Sequence, residues 1–386
     1  MKPKITAALF LIGLFYAFSP TRAQENRSYL QAPQVYLKGS YAPRHQADQR
    51  QFSGIPSLAL TADRQQMWSV WYAGPSPGED ENNYVVLAYS KDAGESWEEL
   101  LVIDPDGSGP VRAFDPEIWF DPTGKLWVFW AQTIGMDGTE AGVWTMTADL
   151  GSPGEANWSA PQRLTDGIMM CKPTVLSTGE WVLPASTWRL TDNSAKMVVS
   201  ADQGKTWQVR GAIHVPQANR VYDEHQFVEK KDGKLWALLR TNYGIGESYS
   251  TDGGRRWSPL QPAMFSHPSA RFFIRRLHSG NLLLIKHGPL TQRTGRSHLM
   301  AFVSRDDGLT WSRGLLLDQR SGVSYPDGQQ SEDGTIHLVY DRDRTGAREI
   351  LKVTFREEDV WDSAHDEAMY RVFRSRKIIS SKSKSE

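Results

Sequence analysis

Four octamers of one design recur along the chain: SKDAGESW (90–97), SADQGKTW (200–207), STDGGRRW (250–257) and SRDDGLTW (304–311). Each places Ser first, Asp two positions on, Gly four on and Trp seven on. The last three begin 50 and 54 residues apart, and the gap of 110 before them leaves room for one more copy. TADLGSPGEANW (147–158) fits that place, with an insertion between Asp149 and Trp158. In such a turn the Ser and Asp side chains hold backbone amides, Gly takes a conformation unfavourable to other residues, and Trp returns to plug the layer beneath. A strand-rich unit repeating every ~40–50 residues is the mark of a β-propeller.

The segments around these turns alternate as half-buried strands do. They include YVVLAYS (84–90), KLWVFWAQ (125–132), EWVLPAS (180–186), KLWALLRT (234–241), NLLLIKHG (281–288) and TIHLVYD (335–341), several of them following a D-x-x-G, D-G or S-G turn. Fifteen Trp, fourteen Phe and thirteen Tyr, with thirty-two Gly, favour strands and tight turns over long helices. Roughly 360 residues at about 50–60 per blade make six or seven blades. REEDVWDS (356–363) is expected as a short helix, and 376–386 as a polar, frayed tail.

The first residues have the features of an export signal. Lys2 and Lys4 precede an apolar run over 5–18 and a small-residue ending near Ala23. This predicts a secretory signal peptide over 1–23, with an apolar run short for a membrane span and Pro20 and Arg22 directly behind it. The expected destination is secreted or periplasmic, without membrane insertion. The formal net charge of −1 gives no steering towards nucleic acid. The single cysteine, Cys171, excludes an intrachain disulfide framework and a cysteine-rich metal site. The nine histidines are dispersed, without H-E-x-x-H spacing, and there is no twelve-residue calcium loop and no phosphate-binding glycine motif. No catalytic metal and no cofactor are expected.

The octamers resemble the Asp-box, or BNR, repeats of the sialidase-like six-bladed propellers, and the resemblance covers nearly all of 24–375. It implies an all-β chain folded as one six-bladed β-propeller domain. Asp-boxes lie on outer turns and occur in non-catalytic propellers too, so function is to be sought where the blades converge. In sialidases that face carries three arginines on the substrate carboxylate, a tyrosine nucleophile activated by a glutamate, and an aspartate acid/base. SYPDGQQSEDGTIHLVYD (324–341) is similar to the tyrosine segment and implies Tyr325 as nucleophile. YDEHQFVEKKDGKLWALLRT (222–241) resembles the glutamate segment and implies Glu224 as its partner and Arg240 as a clamp residue. KHGPLTQRTGRSHLMAFVSRDDGLTW (286–311) resembles the stretch that leads into an Asp-box and implies Arg296 as a second clamp residue.

The departure is at the front. Where the family has Phe/Tyr-Arg-Ile-Pro, this chain has Phe52-Ser53-Gly54-Ile55-Pro56, without the arginine. The acid/base residue is expected in GPSPGEDENNY (74–84), which offers Glu79, Asp80 and Glu81, with Asp80 preferred. Arg112, Lys172 and Arg271 are candidates to supplement the clamp, and His225 and Gln226, beside Glu224, are further substrate-binding candidates. Asp115, in a D-P turn, divides evenly between structure and pocket.

A tyrosine, with a pKa near 10, is a poor nucleophile until a base takes its proton. The Tyr–Glu pair suits an anomeric carbon that carries a carboxylate, because an ionised Asp or Glu nucleophile would meet like charge there. The resemblance therefore implies an exo-acting retaining glycoside hydrolase, with a glycan or acidic oligosaccharide as partner and a sialic or other acidic sugar released. Two rivals stand beside it. One is a lyase or altered hydrolase acting on uronic-acid glycans; the other is a non-catalytic carbohydrate-binding propeller.

Overall fold

Six antiparallel sheets follow one another along the chain, each built from one contiguous stretch. The computed structural model describes residues 28–152, 155–188, 195–361 and 365–382, and the signal peptide expected at 1–23 lies outside them. Blade 1 runs from Phe52–Leu60 through Met67–Gly74 and Tyr84–Ser90 to Glu98–Asp104, with Gln34–Leu37 added at its outer edge. Blade 2 begins with Val111–Phe120 and blade 3 with Ile168–Met169. Blades 4, 5 and 6 begin with His225–Glu229, Phe273–Arg276 and Val323–Gln330. Five of the segments singled out by alternation are second strands of blades: Leu126–Ile134, Trp181–Ser186, Leu235–Thr241, Leu282–His287 and Thr335–Arg342.

The octamers form the turns that their residues dictate. In the first, Ser90 Oγ accepts the Gly94 amide at 2.8 Å and Asp92 Oδ1 accepts the Ser96 amide at 2.9 Å. The Trp97 indole then donates to the Gly94 carbonyl at 3.2 Å. The turns at 200–207 and 250–257 repeat these bonds. The turn at 304–311 keeps the Ser and Asp bonds, but its Trp311 indole nitrogen has no partner and the ring packs edge-on against Phe265. Glycine is needed for space as well as for its φ: a Cβ at Gly204 would come within 2.7 Å of Trp127 from the neighbouring blade. Each turn thus caps its own blade and seats it on the one before it.

Three expectations are corrected. The segment 147–158 is not a fifth octamer turn, since Glu140–Ser152 and Glu155–Trp158 pair as a hairpin, Ala148 opposite Trp158. The polar tail begins later than 376, because Lys377–Ser380 is a strand on the edge of blade 6, paired with Glu349–Arg356. Besides the expected short helix, α1 (Glu357–Trp361), an unexpected one follows: α2 (His365–Ser375), whose Ala368 and Val372 are buried.

Side chains, not a shared sheet, close the ring between blades 6 and 1. Asp327 accepts the Ser57 hydroxyl at 2.7 Å and the Leu58 amide at 2.9 Å, and Gln329 brackets Leu60. Asp341 accepts the Ile55 amide at 2.8 Å.

Candidate active site

Three first strands slip register at an X-Pro step: Ile55-Pro56 in blade 1, Asp115-Pro116 in blade 2 and Tyr325-Pro326 in blade 6. The residue before each proline has a positive φ, 60°, 45° and 52° respectively. Each bulge re-aims a side chain that regular alternation would send elsewhere. Ile55, Asp115 and Tyr325 consequently line one cavity of about 730 Å³, with Glu79, Arg112, Trp188, Tyr222, Glu224, Arg240, Arg296 and Arg344.

At its floor the Tyr325 hydroxyl lies 3.3 Å from Glu224 Oε1 and accepts from Arg240 Nη1 at 3.2 Å. Arg240 Nη1 also donates to Glu224 Oε1 at 2.7 Å, while Glu224 Oε2 is buried without a partner. Burial, and then the Glu224 charge, hold the phenol above its usual range, opposed by Arg240, Arg296 and Arg344. The guanidinium carbons of Arg296 and Arg344 stand 5.2 and 5.1 Å from the centre of the Tyr325 ring. Arg296 Nη1 has no partner. Arg344 Nη1 donates to Glu79 Oε1 at 3.1 Å, and Glu79 Oε2 lies 3.9 Å from Arg112 Nη1. Burial, helped by the charges of Glu79 and Glu224, pushes Asp115 well above the usual carboxylate range. Trp188 and Tyr222 form a wall, edge to face at 5.1 Å, with Arg240 4.8 Å above the Tyr222 ring.

The cavity thus brings together Tyr325, Glu224, Arg240, Arg296 and Arg112 of the residues expected there. Arg112 is buried, its Nε and Nη1 lack hydrogen-bond partners, and its guanidinium lies flat against Phe114 at 3.6 Å.

The other candidates are elsewhere. Asp80 is not in the lining; its Oδ1 caps the Asn82 amide of its own loop, and Glu79 is the carboxylate that reaches inward. Lys172 pairs with Asp327 at 2.8 Å and with the Leu58 and Gly328 carbonyls, so its charge is spent on ring closure. Arg271 lies beneath the floor, donating to Glu117 at 2.9 Å and to the Met170, Pro56 and Tyr325 carbonyls. It supports the Tyr325 loop and is not among the residues lining the cavity. His225 is turned towards the Asp223 and Lys196 carbonyls. Gln226 joins blade 4 to blade 5 through the Phe272 carbonyl and the Ile274 amide. The two stand on opposite faces of the strand His225–Glu229, and each is spent on a neighbouring blade, His225 on blade 3 and Gln226 on blade 5.

Arg344 was missed. It follows the expected strand 335–341 in a turn, and nothing local separates it from the neighbouring Arg342 and Arg348. Among the described residues no group of His, Cys, Asp and Glu is arranged to hold a metal ion.

A β-propeller with Asp-box turns and a tyrosine–glutamate pair under converging arginines is of the sialidase type. The chain matches the BNR repeat-like domain over residues 65–338 and belongs to that family. A sialidase of Bacteroides fragilis (strain YCH46) is 26% identical over 298 residues, 67% of this chain. Those residues are 54% of that protein, so the chain spans about half the length of the curated relative it matches. Among solved structures, a protein of unknown function from Dyadobacter fermentans DSM 18053 aligns with TM-score 0.61 at 16% identity, over 82% of this chain and 95% of that one. The NanB sialidase of Streptococcus pneumoniae aligns with TM-score 0.60 at 15% identity, over 80% and 67%. These likenesses show the six-bladed sialidase-type fold.

Proposed function

We propose that the chain is an exo-acting, retaining glycoside hydrolase that releases a terminal acidic sugar from a glycan. The observation that carries this is the Tyr325 hydroxyl, buried and shared between Glu224 and Arg240 while Arg296 and Arg344 flank its ring. The guanidiniums hold a sugar carboxylate in forked hydrogen bonds. Tyr325 Oη attacks the anomeric carbon as Glu224 takes the phenolic proton, the bond to the leaving oxygen breaks, and a tyrosyl glycoside forms, whose new C–O bond breaks when water later displaces the phenolate. Glu79 protonates the departing oxygen. Partly exposed and bound to Arg344, it stands nearer the solvent than Asp115, which is at the buried end. Apart from Glu224, the other lining carboxylates, Asp137 and Glu140, are exposed on the rim. Glu79 then takes a proton from water, which attacks the anomeric carbon, and the phenolate regains its proton from Glu224. Asp115, kept protonated, donates a hydrogen bond to a sugar hydroxyl.

The test is a panel of sialosides, other ulosonosides and uronic-acid glycans, with products read by mass and the first-formed anomer by NMR. Release of an acidic sugar with its configuration retained is expected, and Tyr325→Phe should cut turnover by at least ~100-fold without changing the fold. An unsaturated product absorbing in the near ultraviolet would replace hydrolysis with elimination. Near-normal turnover by Tyr325→Phe sinks the nucleophile, and no turnover of any member sinks the enzyme.

A further inference from the structure

Position 54 holds glycine although its backbone does not require one. Its φ is outside the left-handed region, and it lies in the buried strand Phe52–Leu60, where other residues are comfortable. What requires glycine there is space. A Cβ at Gly54 would come within 2.6 Å of Arg344 Cγ, closer still to its Cδ, and 3.0 Å from Asp341 Oδ2. The Arg344 side chain runs over Gly54 into the pocket, crossing from blade 6 to blade 1. Its path is fixed at both ends: the Ser53 amide donates to the Arg344 carbonyl at 3.0 Å, and Asp341 Oδ2 stands 3.9 Å from Nε. The turn that carries it is tied by Asp343, which accepts the amides of Gly346 and Ala347.

We propose that Arg344 is the third guanidinium of a carboxylate clamp with Arg240 and Arg296, and that Gly54 is the vacancy through which it reaches the substrate. The missing front arginine and the arginine of the last blade are then alternatives, because no side chain at position 54 fits beside Arg344. This rests on the pocket being an acidic-sugar site. Glu79, which now holds Arg344, yields it to the carboxylate of the sugar.

The experiment pairs turnover with binding. Arg344→Ala, Gly54→Ala and the double variant are compared with wild type on an acidic glycoside and on its carboxamide counterpart, with circular dichroism as the check on fold. Losing one charge-assisted contact predicts a drop of roughly 10- to 100-fold in kcat/KM for Arg344→Ala on the acid. The carboxamide should change little. Gly54→Ala should lose a similar factor by displacing Arg344, and the double variant should be no worse than Arg344→Ala alone. Equal losses on acid and amide, or losses that multiply in the double variant, overturn the proposal. Calorimetry of the free sugar acid with Tyr325→Phe protein separates the two readings. Affinity that falls with Arg344→Ala in a protein whose wild type turns over nothing keeps the clamp and rejects the hydrolase. Unchanged affinity in an active enzyme keeps the hydrolase and rejects the clamp.

Discussion

Glu79 and Asp80 are adjacent, yet only Glu79 lines the cavity. Glu79 contacts Arg344 and faces Arg112 across the cavity, whereas Asp80 caps its own loop. Glu79→Gln is expected to slow release from poor leaving groups by roughly 100-fold or more, while sparing much of the rate on activated aryl glycosides. Asp80→Asn should leave both rates within a few-fold of wild type. A leaving-group series measured on the two variants checks this, and the opposite ranking would return the acid role to Asp80. The residues legible in the sequence were those whose segments resemble sialidase segments, Tyr325, Glu224, Arg240 and Arg296; strand alternation did not fix the direction of Tyr325, which sits on a bulge. Lys172 and Arg271 misled because a buried cation near a pocket has more than one anion to serve, here Asp327 and Glu117. Arg344 was invisible because its meaning is a space at Gly54, which only the closed ring brings beside it.

At the scale of elements, strand alternation located the blades well, and the X-Pro bulges are where alternation stops predicting which way a side chain points. The same Pro that marks each bulge was visible as Ile55-Pro56, Asp115-Pro116 and Tyr325-Pro326, but its effect on register was not. The helix α2 carried a signal that went unused, Ala368 and Val372 four apart with Met369 and Phe373 beside them. The strand Leu282–His287 ends by anchoring the bulged strand of blade 6: His287 Nε2 meets the Val323 carbonyl at 2.9 Å, and His267 Nε2 meets His287 Nδ1 at 3.2 Å. Burial lowers the His287 pKa to about 4, from an ordinary value of 6.5. The unfolded chain therefore binds more protons between those values, and the His287 contribution is complete above pH 6.5 and lost as pH falls towards 4. The stability gap between wild type and His287→Gln should be widest above pH 6.5 and narrow by about 1.4 kcal/mol per pH unit below it. Urea unfolding at a series of pH values reads this, and a gap constant with pH would show that His287 does not change its proton affinity on folding.

The whole molecule is held as a ring by a few buried polar contacts at the seam between its first and last blades. Asp327 accepts from Ser57, Leu58 and Lys172 together, and it is almost fully buried. Asp327→Ala leaves the Lys172 ammonium without its counter-charge, and the expected cost is about 3–5 kcal/mol. Chemical denaturation measures it; a loss under about 1 kcal/mol would mean that apolar packing between the blades closes the ring without help. The order of the blades along the chain was readable from the octamers and the chain length allowed six or seven of them, since each blade is one contiguous stretch, but the seam was not, because its partners stand at opposite ends of the sequence.

That seam also sets when the cavity can form. Glu79 and Gly54 belong to the first blade to leave the ribosome, Tyr325 and Arg344 to the last, and Glu224 and Arg240 to the fourth. No partly synthesised chain holds Tyr325, Glu224 and Arg344 together, however well its early blades have folded. Synthesis and assembly of the cavity are thus kept apart in time by topology alone, and the cavity is whole only at the moment at which the circle is complete.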